Sequence, residues 1–202
     1  HLTRNFMVHL VHGMLGQTGF RLVNAPTFLP AYILLLSGSD IAVGVALALQ
    51  ALGMTLTPFF GANMIEHRKR VLPIGLSTGA AMRISILGMA VTGLVLDPPW
   101  ALWAMFVWLT LFGLSQGMQG VIFNFLMSKV IPVSKRGRLT GLRNFLAGII
   151  SAGVALAGGH LFLGENPDAA GYSWTFMLAF VLTMTGLAAL SFTREPEPPS
   201  VR

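Results

Sequence analysis

Residues 129–144, KVIPVSKRGRLTGLRN, carry five of the thirteen Lys and Arg residues of the chain and no Asp or Glu. Long apolar segments lie on both sides of this stretch. A basic loop between two apolar segments is typical of a membrane protein, in which Lys and Arg are retained on the cytoplasmic side. The stretch therefore predicts both a class of fold and an orientation for the chain.

The composition of the whole chain agrees with a membrane protein. Of its 202 residues, 54% are hydrophobic and 10% are charged, whereas soluble domains are usually about 25% charged. We therefore expect an integral membrane protein in contact with the lipid bilayer. The net charge of +6 is explained by the short loops, so no nucleic-acid partner is expected. Cysteine is absent, which excludes disulfides, Cys-ligated zinc and a thiol nucleophile.

Six segments are long and apolar enough to cross a bilayer, which takes about 20 residues each. They lie at about residues 10–36, 41–64, 71–96, 100–127, 139–163 and 172–192. The predicted fold is an all-α integral membrane bundle of six transmembrane helices over residues 1–193. The Pro-rich segment 194–202, REPEPPSVR, is predicted to begin a cytoplasmic linker. Because the chain begins with His1, we expect it to be a fragment of a longer protein.

The loops between these segments alternate in charge. The loops after the first, third and fifth segments contain acidic residues and no Lys or Arg. The loops after the second and fourth segments contain the basic residues Arg68, Lys69, Arg70, Lys129, Lys135, Arg136 and Arg138. This alternation predicts that the basic loops and both termini are cytoplasmic, in a plasma (inner) membrane.

Two arginines lie near the middle of predicted helices, Arg21 in the first and Arg83 in the third, with no Asp or Glu at that depth. A charge inside a membrane is costly and marks a functional site by default. Arg21 is the stronger candidate for contact with an anionic substrate group or with a carboxylate elsewhere in the protein. The structural alternative for both residues is a bond to helix carbonyls or a side chain that reaches the interface.

Polar amides lie in the same helices. Asn24 lies two residues before Pro26. Proline interrupts a helix, and interruptions near the middle of a span often mark binding sites in transporters. Gln116 and Gln119 are three residues apart in helix four and share a face, and Gln50 lies in helix two. We predict that these amides line a polar cavity. The alternative is that they hydrogen-bond neighbouring helices together.

Enzyme and metal signatures are weak. His9 and His12 have a spacing that can bind metal, but no carboxylate or thiol accompanies them, so we expect a pair at the membrane interface. Residues 113–117, GLSQG, match a hydrolase nucleophile pattern that requires a strand-to-helix turn, and they lie inside a predicted helix. We expect no enzymatic activity, no cofactor and no metal site.

The two basic loops resemble those of the major facilitator superfamily, whose members have twelve helices in two six-helix halves, each a 3+3 inverted repeat. Residues 61–72, GANMIEHRKRVL, are similar to the family signature G-x-L-x-D-R-x-G-R-[RK] at Gly61 and Arg70, although Ile65 replaces the Asp and Glu66 replaces the first Arg. The second loop resembles the run P-x-x-x-R-G-R-x-x-G at Pro132, Arg136, Gly137, Arg138 and Gly141. The resemblance covers nearly the whole chain as an N-terminal half.

This resemblance implies a secondary transporter that moves a small solute by alternating access around a site in mid-membrane. Helices one and four would line the cavity, two and five would flank it, and three and six would lie outside. Substrate-binding residues are then expected among Arg21, Asn24, Gln50, Gln116 and Gln119, whereas Arg83 becomes a weaker candidate. A cytoplasmic gate is expected at Gly61, Glu66, Arg70, Arg136, Arg138 and Arg143, unless these charges only set topology and attract anionic lipid.

The substrate and the partners are less constrained. Arg21 favours an anionic solute. Because no Asp or Glu lies inside a predicted helix, proton coupling would depend on histidine or on the missing C-terminal half. The expected partner is that six-helix half or a second copy of the chain. The alternative is a six-helix membrane scaffold, or a homodimeric subunit, that does not transport.

Overall fold

The computed structural model of the protein describes residues 1–24 and 28–196. Pro26, the predicted break in the first helix, lies outside the described residues. The described residues form eight α-helices and one π-helical turn. Their bounds are α1 (Leu2–Asn24), α2 (Phe28–Ser37), α3 (Asp40–Leu56), α4 (Pro58–Glu66), α5 (Leu72–Val95), α6 (Pro98–Val130), α7 (Val133–Gly158), the π-helical turn (Gly159–Leu163) and α8 (Ala169–Leu190).

These helices make six spans that are long and apolar enough to cross a membrane: α1 with α2, α3 with α4, α5, α6, α7 with the π-helical turn, and α8. The predicted all-α fold of six spans is confirmed, and the described residues contain no strand. The first and fifth spans begin earlier than predicted, at Leu2 and Val133. Hydropathy detects the apolar part of a helix, whereas backbone hydrogen bonding continues through the polar turns that precede it.

The second span bends between α3 and α4. Pro58 is at the start of α4, and its lack of an N–H group interrupts the helical ladder. The hydroxyl of Thr57 lies 2.8 Å from the carbonyl oxygen of Gly53 and 2.7 Å from that of Leu114 in α6. The bend is therefore attached to the neighbouring span.

Glycines bring α3 and α4 close to α6. A Cβ atom at Gly113 would lie 2.3 Å from the carbonyl oxygen of Gln50, and one at Gly61 would lie 2.7 Å from that of Met118. Small residues at such contacts let membrane helices pack backbone to backbone. This close approach holds Gln50 beside α6.

The helices pack in the order α7, α1, α8, α5, α6 and α3. The two spans at the ends of this row are the least covered by other helices. In the most apolar stretch of each, 17% is buried, compared with 39–50% in the other four spans. The second and fifth spans therefore flank an open side of the bundle.

Candidate functional site

A cavity of about 240 Å³ lies between α1, α5, α6 and α7. Its wall consists of His12, Gly13, Gly16, Gln17, Phe20, Met82, Arg83, Gln116, Gln119, Gly120, Phe123 and Arg143. The α1 side is open because of its glycines: a Cβ atom at Gly13 would lie 1.8 Å from Cδ of Arg143. No Asp or Glu of the described residues lines this cavity.

Arg83 is held in the cavity wall with a relative exposure of 1%. Its Nε donates to the carbonyl oxygen of Thr183 at 2.7 Å, and its Nη1 donates to that of Gly79 at 2.7 Å. The guanidinium carbon lies 5.3 Å from the centre of the Phe20 ring. Carbonyls and a ring stabilise the cation without neutralising it, and the two bonds use only part of the five N–H donors of the side chain.

The resemblance placed the third span outside the cavity and weakened Arg83 as a candidate. α5 packs against α6 and α8, and the long side chain of Arg83 extends from it into the cavity wall. Arg21, the favoured arginine, is exposed and does not line this cavity. Its Nη1 donates to Oγ of Ser151 in α7 at 3.0 Å.

Arg143, which was predicted as part of the cytoplasmic gate at the start of helix five, lines the cavity as well. Its Nε is buried without a hydrogen-bond partner among the described residues, and its guanidinium carbon lies 6.0 Å from the centre of the Phe123 ring. The side chain enters the bundle because Gly13 of α1 leaves space for it, and its predicted role in the cytoplasmic gate stays a prediction. Arg83 and Arg143 therefore place two cations in one cavity.

His9 and His12 were expected to form a pair at the membrane interface. Instead, both are buried inside the bundle, with relative exposures of 1% and 7%. Nδ1 of His12 lies 2.9 Å from the carbonyl oxygen of Gly186. Because a carbonyl only accepts, this nitrogen carries the hydrogen. Both ring nitrogens of His9 are buried without a partner among the described residues. The ring of Phe123 lies 5.6 Å from His9 and 5.1 Å from His12, between centroids.

The predicted amides come together in two groups. Nε2 of Gln50 donates to Oδ1 of Asn24 and lies 3.4 Å from Oε1 of Gln116, which joins α1, α3 and α6 on the open side. Gln119 is 7% exposed and accepts a hydrogen bond from the hydroxyl of Thr78 in α5. Gln116 and Gln119 both line the cavity, whereas Asn24 and Gln50 do not, so all four amides hold helices together and two of them also face the cavity.

The basic loops meet at one end of the bundle, where Glu195 binds them together. Its carboxylate accepts from the backbone N–H groups of Val71 at 2.9 Å and Leu72 at 3.1 Å, and from Nζ of Lys129 at 2.6 Å. Its side chain is 5% exposed. Burial raises the pKa of Glu195, but the bonds from Lys129 and from the two amides outweigh burial and lower the pKa. An acid at the start of a helix is also favoured by the helix dipole.

Glu195 belongs to the segment predicted as the beginning of a linker, and sequence reasoning did not select it. Its signal was weak: it is an acid directly after the last span, at the end that carries the basic loops. Arg194 is held beside it, because its backbone N–H donates to Oδ1 of Asn5 at 2.9 Å. The first residues of this segment are thus attached to the bundle.

The other predicted gate residues do not face each other as expected. Arg136 donates from Nε to the carbonyl oxygen of Ile131 at 2.8 Å and from Nη2 to that of Ser128 at 2.6 Å. It therefore caps the C-terminal end of α6, where carbonyls lack helical partners. Glu66 and Arg138 are exposed and make no ion pair with described residues. Among the described residues, Glu195 and not Glu66 is the acid that binds the basic loops, and the gate role of Glu66 and Arg138 stays a prediction.

Arg70 and Gly61 complete this region. Arg70 lines a cleft at the basic end together with Arg194 and Glu195. Gly61 is the point at which α4 crosses α6.

The comparisons with known proteins agree with this architecture. A family model described as the Major Facilitator Superfamily matches residues 13–202. No curated protein matches the chain at a significant level. The family match covers nearly all of the six membrane-length helices and both basic loops. The chain is therefore a multi-pass integral membrane protein that belongs to the major facilitator superfamily of transporters, with the architecture of its N-terminal six-helix half.

Proposed function

We propose that this half belongs to a secondary active transporter that moves small anions by alternating access. The observation that carries the proposal is the cavity in which Arg83 and Arg143 lie without a carboxylate of the described residues. Buried charges in proteins are normally paired with an opposite charge. A solute anion would supply that charge each time it enters the cavity.

The rest of the cavity wall fits a small polar anion. Gln116 and Gln119 offer amide groups beside the two arginines, and such groups orient a ligand within a pocket. The volume of about 240 Å³ is below the range of roughly 300–1,000 Å³ that is usual for drug-sized ligands. The cavity of this half therefore suits an inorganic anion or a small organic acid. Arg21, Asn24 and Gln50 lie on the open side, where a second half would complete the site.

Alternating access requires a second bundle that rocks against this one. The open side between the second and fifth spans is where it would pack, as a C-terminal half or as a second copy of the chain. The basic end would then act as the cytoplasmic gate, with Gly61, Glu66, Arg70, Arg136 and Arg138 near the moving surface. Glu195 and Lys129 would hold the loops of this half as one unit during that movement.

The proposed orientation is supported by the same basic end. Both basic loops, the residues around Asn5 and the residues around Arg194 lie together there. Because Lys and Arg tend to remain in the cytoplasm, the proposed orientation puts this end inside the cell, and the proposed location is a plasma (inner) membrane. A reporter enzyme fused after Arg202 of the chain, active only in the periplasm or only in the cytoplasm, tests the orientation.

Solute uptake into proteoliposomes that contain the full-length protein tests the transport function. Labelled phosphate, sulfate and gluconate are compared with neutral glucose and cationic choline. We expect uptake of at least one anion, and we expect the choline signal to equal that of protein-free vesicles. Uptake of glucose or choline instead of anions would overturn the anion proposal. The absence of any uptake would favour the non-transporting scaffold.

A further inference from the structure

We propose that His12 is a proton-binding site, so that one proton crosses the membrane with the anion. This inference rests on the proposed function. Carboxylates are the usual proton carriers in membranes, but the six Asp and Glu residues that the structure describes lie at helix ends or in loops, and none of them lines the cavity. In this half, a titratable group at the cavity must therefore be a histidine.

The hydrogen bond of His12 leaves one nitrogen available. Nδ1 is held at 2.9 Å from the carbonyl oxygen of Gly186, so it carries a hydrogen and Nε2 keeps the free electron pair. Nε2 makes no hydrogen bond to a described residue, and His12 lines the cavity. A proton that reaches the cavity with the solute can therefore bind at Nε2 without breaking a contact.

His9 lies one helical turn nearer the basic end. Both of its ring nitrogens are buried without a partner among the described residues, although a buried unpaired polar group destabilises a protein by about 1–3 kcal/mol. Phe123 contacts both imidazole rings. His9 is therefore a second buried imidazole near the cavity whose ring nitrogens the described residues leave without a hydrogen bond.

The charges around His12 make anion and proton binding interdependent. Arg83 faces it from α5, Arg143 from α7 and His9 from α1 itself, all within electrostatic range. The neighbouring parts of α6 and α8 present Phe123, Gln119 and Gly186, none of which is ionisable. In the empty cavity two guanidinium charges oppose a third positive charge on His12. A bound anion offsets them, so proton and anion each strengthen the binding of the other.

The proton enters from hydronium in the water on one side, forms an N–H bond at Nε2 and returns to water on the other side as the anion leaves. No oxidant or further reactant is needed. A monovalent anion would then cross with no net charge, and a pH gradient would drive its accumulation.

The test uses proteoliposomes that contain the full-length protein. Valinomycin and equal potassium concentrations on both sides hold the membrane voltage at zero, and the exterior is acidic. Labelled phosphate, sulfate and gluconate report anion movement, and internal pyranine reports proton entry. We expect the wild type to accumulate an anion with about one proton per anion. In His12→Asn, whose amide can still donate to Gly186, we expect accumulation to fall at least about tenfold while exchange of internal for external anion remains. His160→Asn and His67→Asn, which alter exposed histidines, should accumulate the anion as the wild type does.

Three results would overturn the inference. Wild-type uptake without proton entry would remove it and leave the proposed anion transport intact, whatever the variant does. Proton-driven accumulation that persists in His12→Asn would also remove it. If the wild type neither takes up nor exchanges any of the three anions, the proposed function fails and the inference falls with it.

Discussion

The cavity and the basic end of the bundle both concentrate positive charge, but only the basic end has an acid to balance it. Lys129 and the start of α5 bind the carboxylate of Glu195. Arg83 and Arg143 face a cavity that no carboxylate of the described residues reaches. Arg83 is instead stabilised by carbonyls and a ring, which leave its charge in place.

This difference separates a structural cation from one available to a ligand. At the basic end the attraction is satisfied within the chain, so Lys129 and Glu195 hold loops together. In the cavity no carboxylate of the described residues satisfies the attraction, and under the proposed function an anion from outside does so. Substitutions in the two regions should therefore affect different properties: transport for the cavity and stability for the basic end.

The largest effect is expected at Arg83. Arg83→Met should lower anion uptake about 100-fold, because loss of a hydrogen bond to a charged group amounts to roughly 1.5–3 kcal/mol. Arg83→Lys should transport at an intermediate rate, since lysine keeps the charge but cannot bond Thr183 and Gly79 together. Initial uptake rates per mole of folded protein, judged by size-exclusion chromatography, provide the measurement. Arg68→Met, at an exposed position, is the control. Normal transport by folded Arg83→Met would contradict the assignment of transport to the cavity.

Arg143 should matter less, because it contributes charge without a bond from Nε to described residues. Arg143→Gln should raise the substrate KM about tenfold with little change in thermal stability. Arg138→Gln, on the exposed side of the same helix, should leave KM unchanged. A larger effect for Arg138 than for Arg143 would return Arg143 to the loop charges and support the original gate prediction.

Substitution of Gln50 tests whether the substrate path extends beyond the cavity to the Asn24–Gln50–Gln116 group. Gln50→Leu removes the donor that joins Asn24 to Gln116, and we expect KM to rise about threefold because one neutral hydrogen bond contributes roughly 0.5–1.5 kcal/mol. Thr55→Val, whose hydroxyl bonds only within its own helix, is the matched control. Equal kinetics for the two variants would show that the amide group lies outside the substrate path.

Glu195 should have the smallest effect on transport and a clear effect on stability. Glu195→Gln should change uptake less than about twofold and lower Tm by about 2–4 °C, the shift expected for about 1 kcal/mol in a chain of this size. Glu165→Gln, in an exposed loop, should leave Tm unchanged. A tenfold loss of uptake in Glu195→Gln would show that the basic end takes part in the transport cycle beyond holding loops together.

The pH dependence of stability provides a second test of Glu195. Its pKa is lower in the folded state than in the unfolded state, so its contribution is complete above the unfolded pKa and is lost as pH falls through the folded pKa. Thermal unfolding followed by tryptophan fluorescence should show a smaller acid-induced fall in Tm for Glu195→Gln than for the wild type. Identical pH profiles would contradict the assigned contacts.

Sequence reasoning succeeded for properties that depend on short segments. The six spans follow from runs of apolar residues, and the family follows from the spans and the two basic loops. It also identified Gln116 and Gln119 as cavity residues. It ranked Arg21 above Arg83 because depth along a helix can be counted, whereas the direction in which a side chain points around that helix cannot. A membrane helix is apolar on nearly every side, so it lacks the period that marks the inner face of a soluble helix.

The binding role of Glu195 and the position of Arg143 in the cavity wall could not be predicted from the sequence, for a related reason. The partners of Glu195 include two backbone N–H groups more than a hundred residues away, and backbone groups carry no signal in a sequence. Arg143 enters the bundle because Gly13 on another helix leaves space for it. Such a fit depends on two helices at once.

By itself, the amino-acid sequence determined the number of spans, the charge alternation of the loops and the absence of acids inside the helices. These properties are local, since transfer of each segment into a bilayer depends on its own side chains. Only the tertiary structure decided that Arg83, Arg143 and His12 share one cavity and that Glu195 binds Lys129 and the start of α5. These contacts depend on how each helix is rotated about its axis and how closely it packs against its neighbours. Residues that are distant in the sequence determine both.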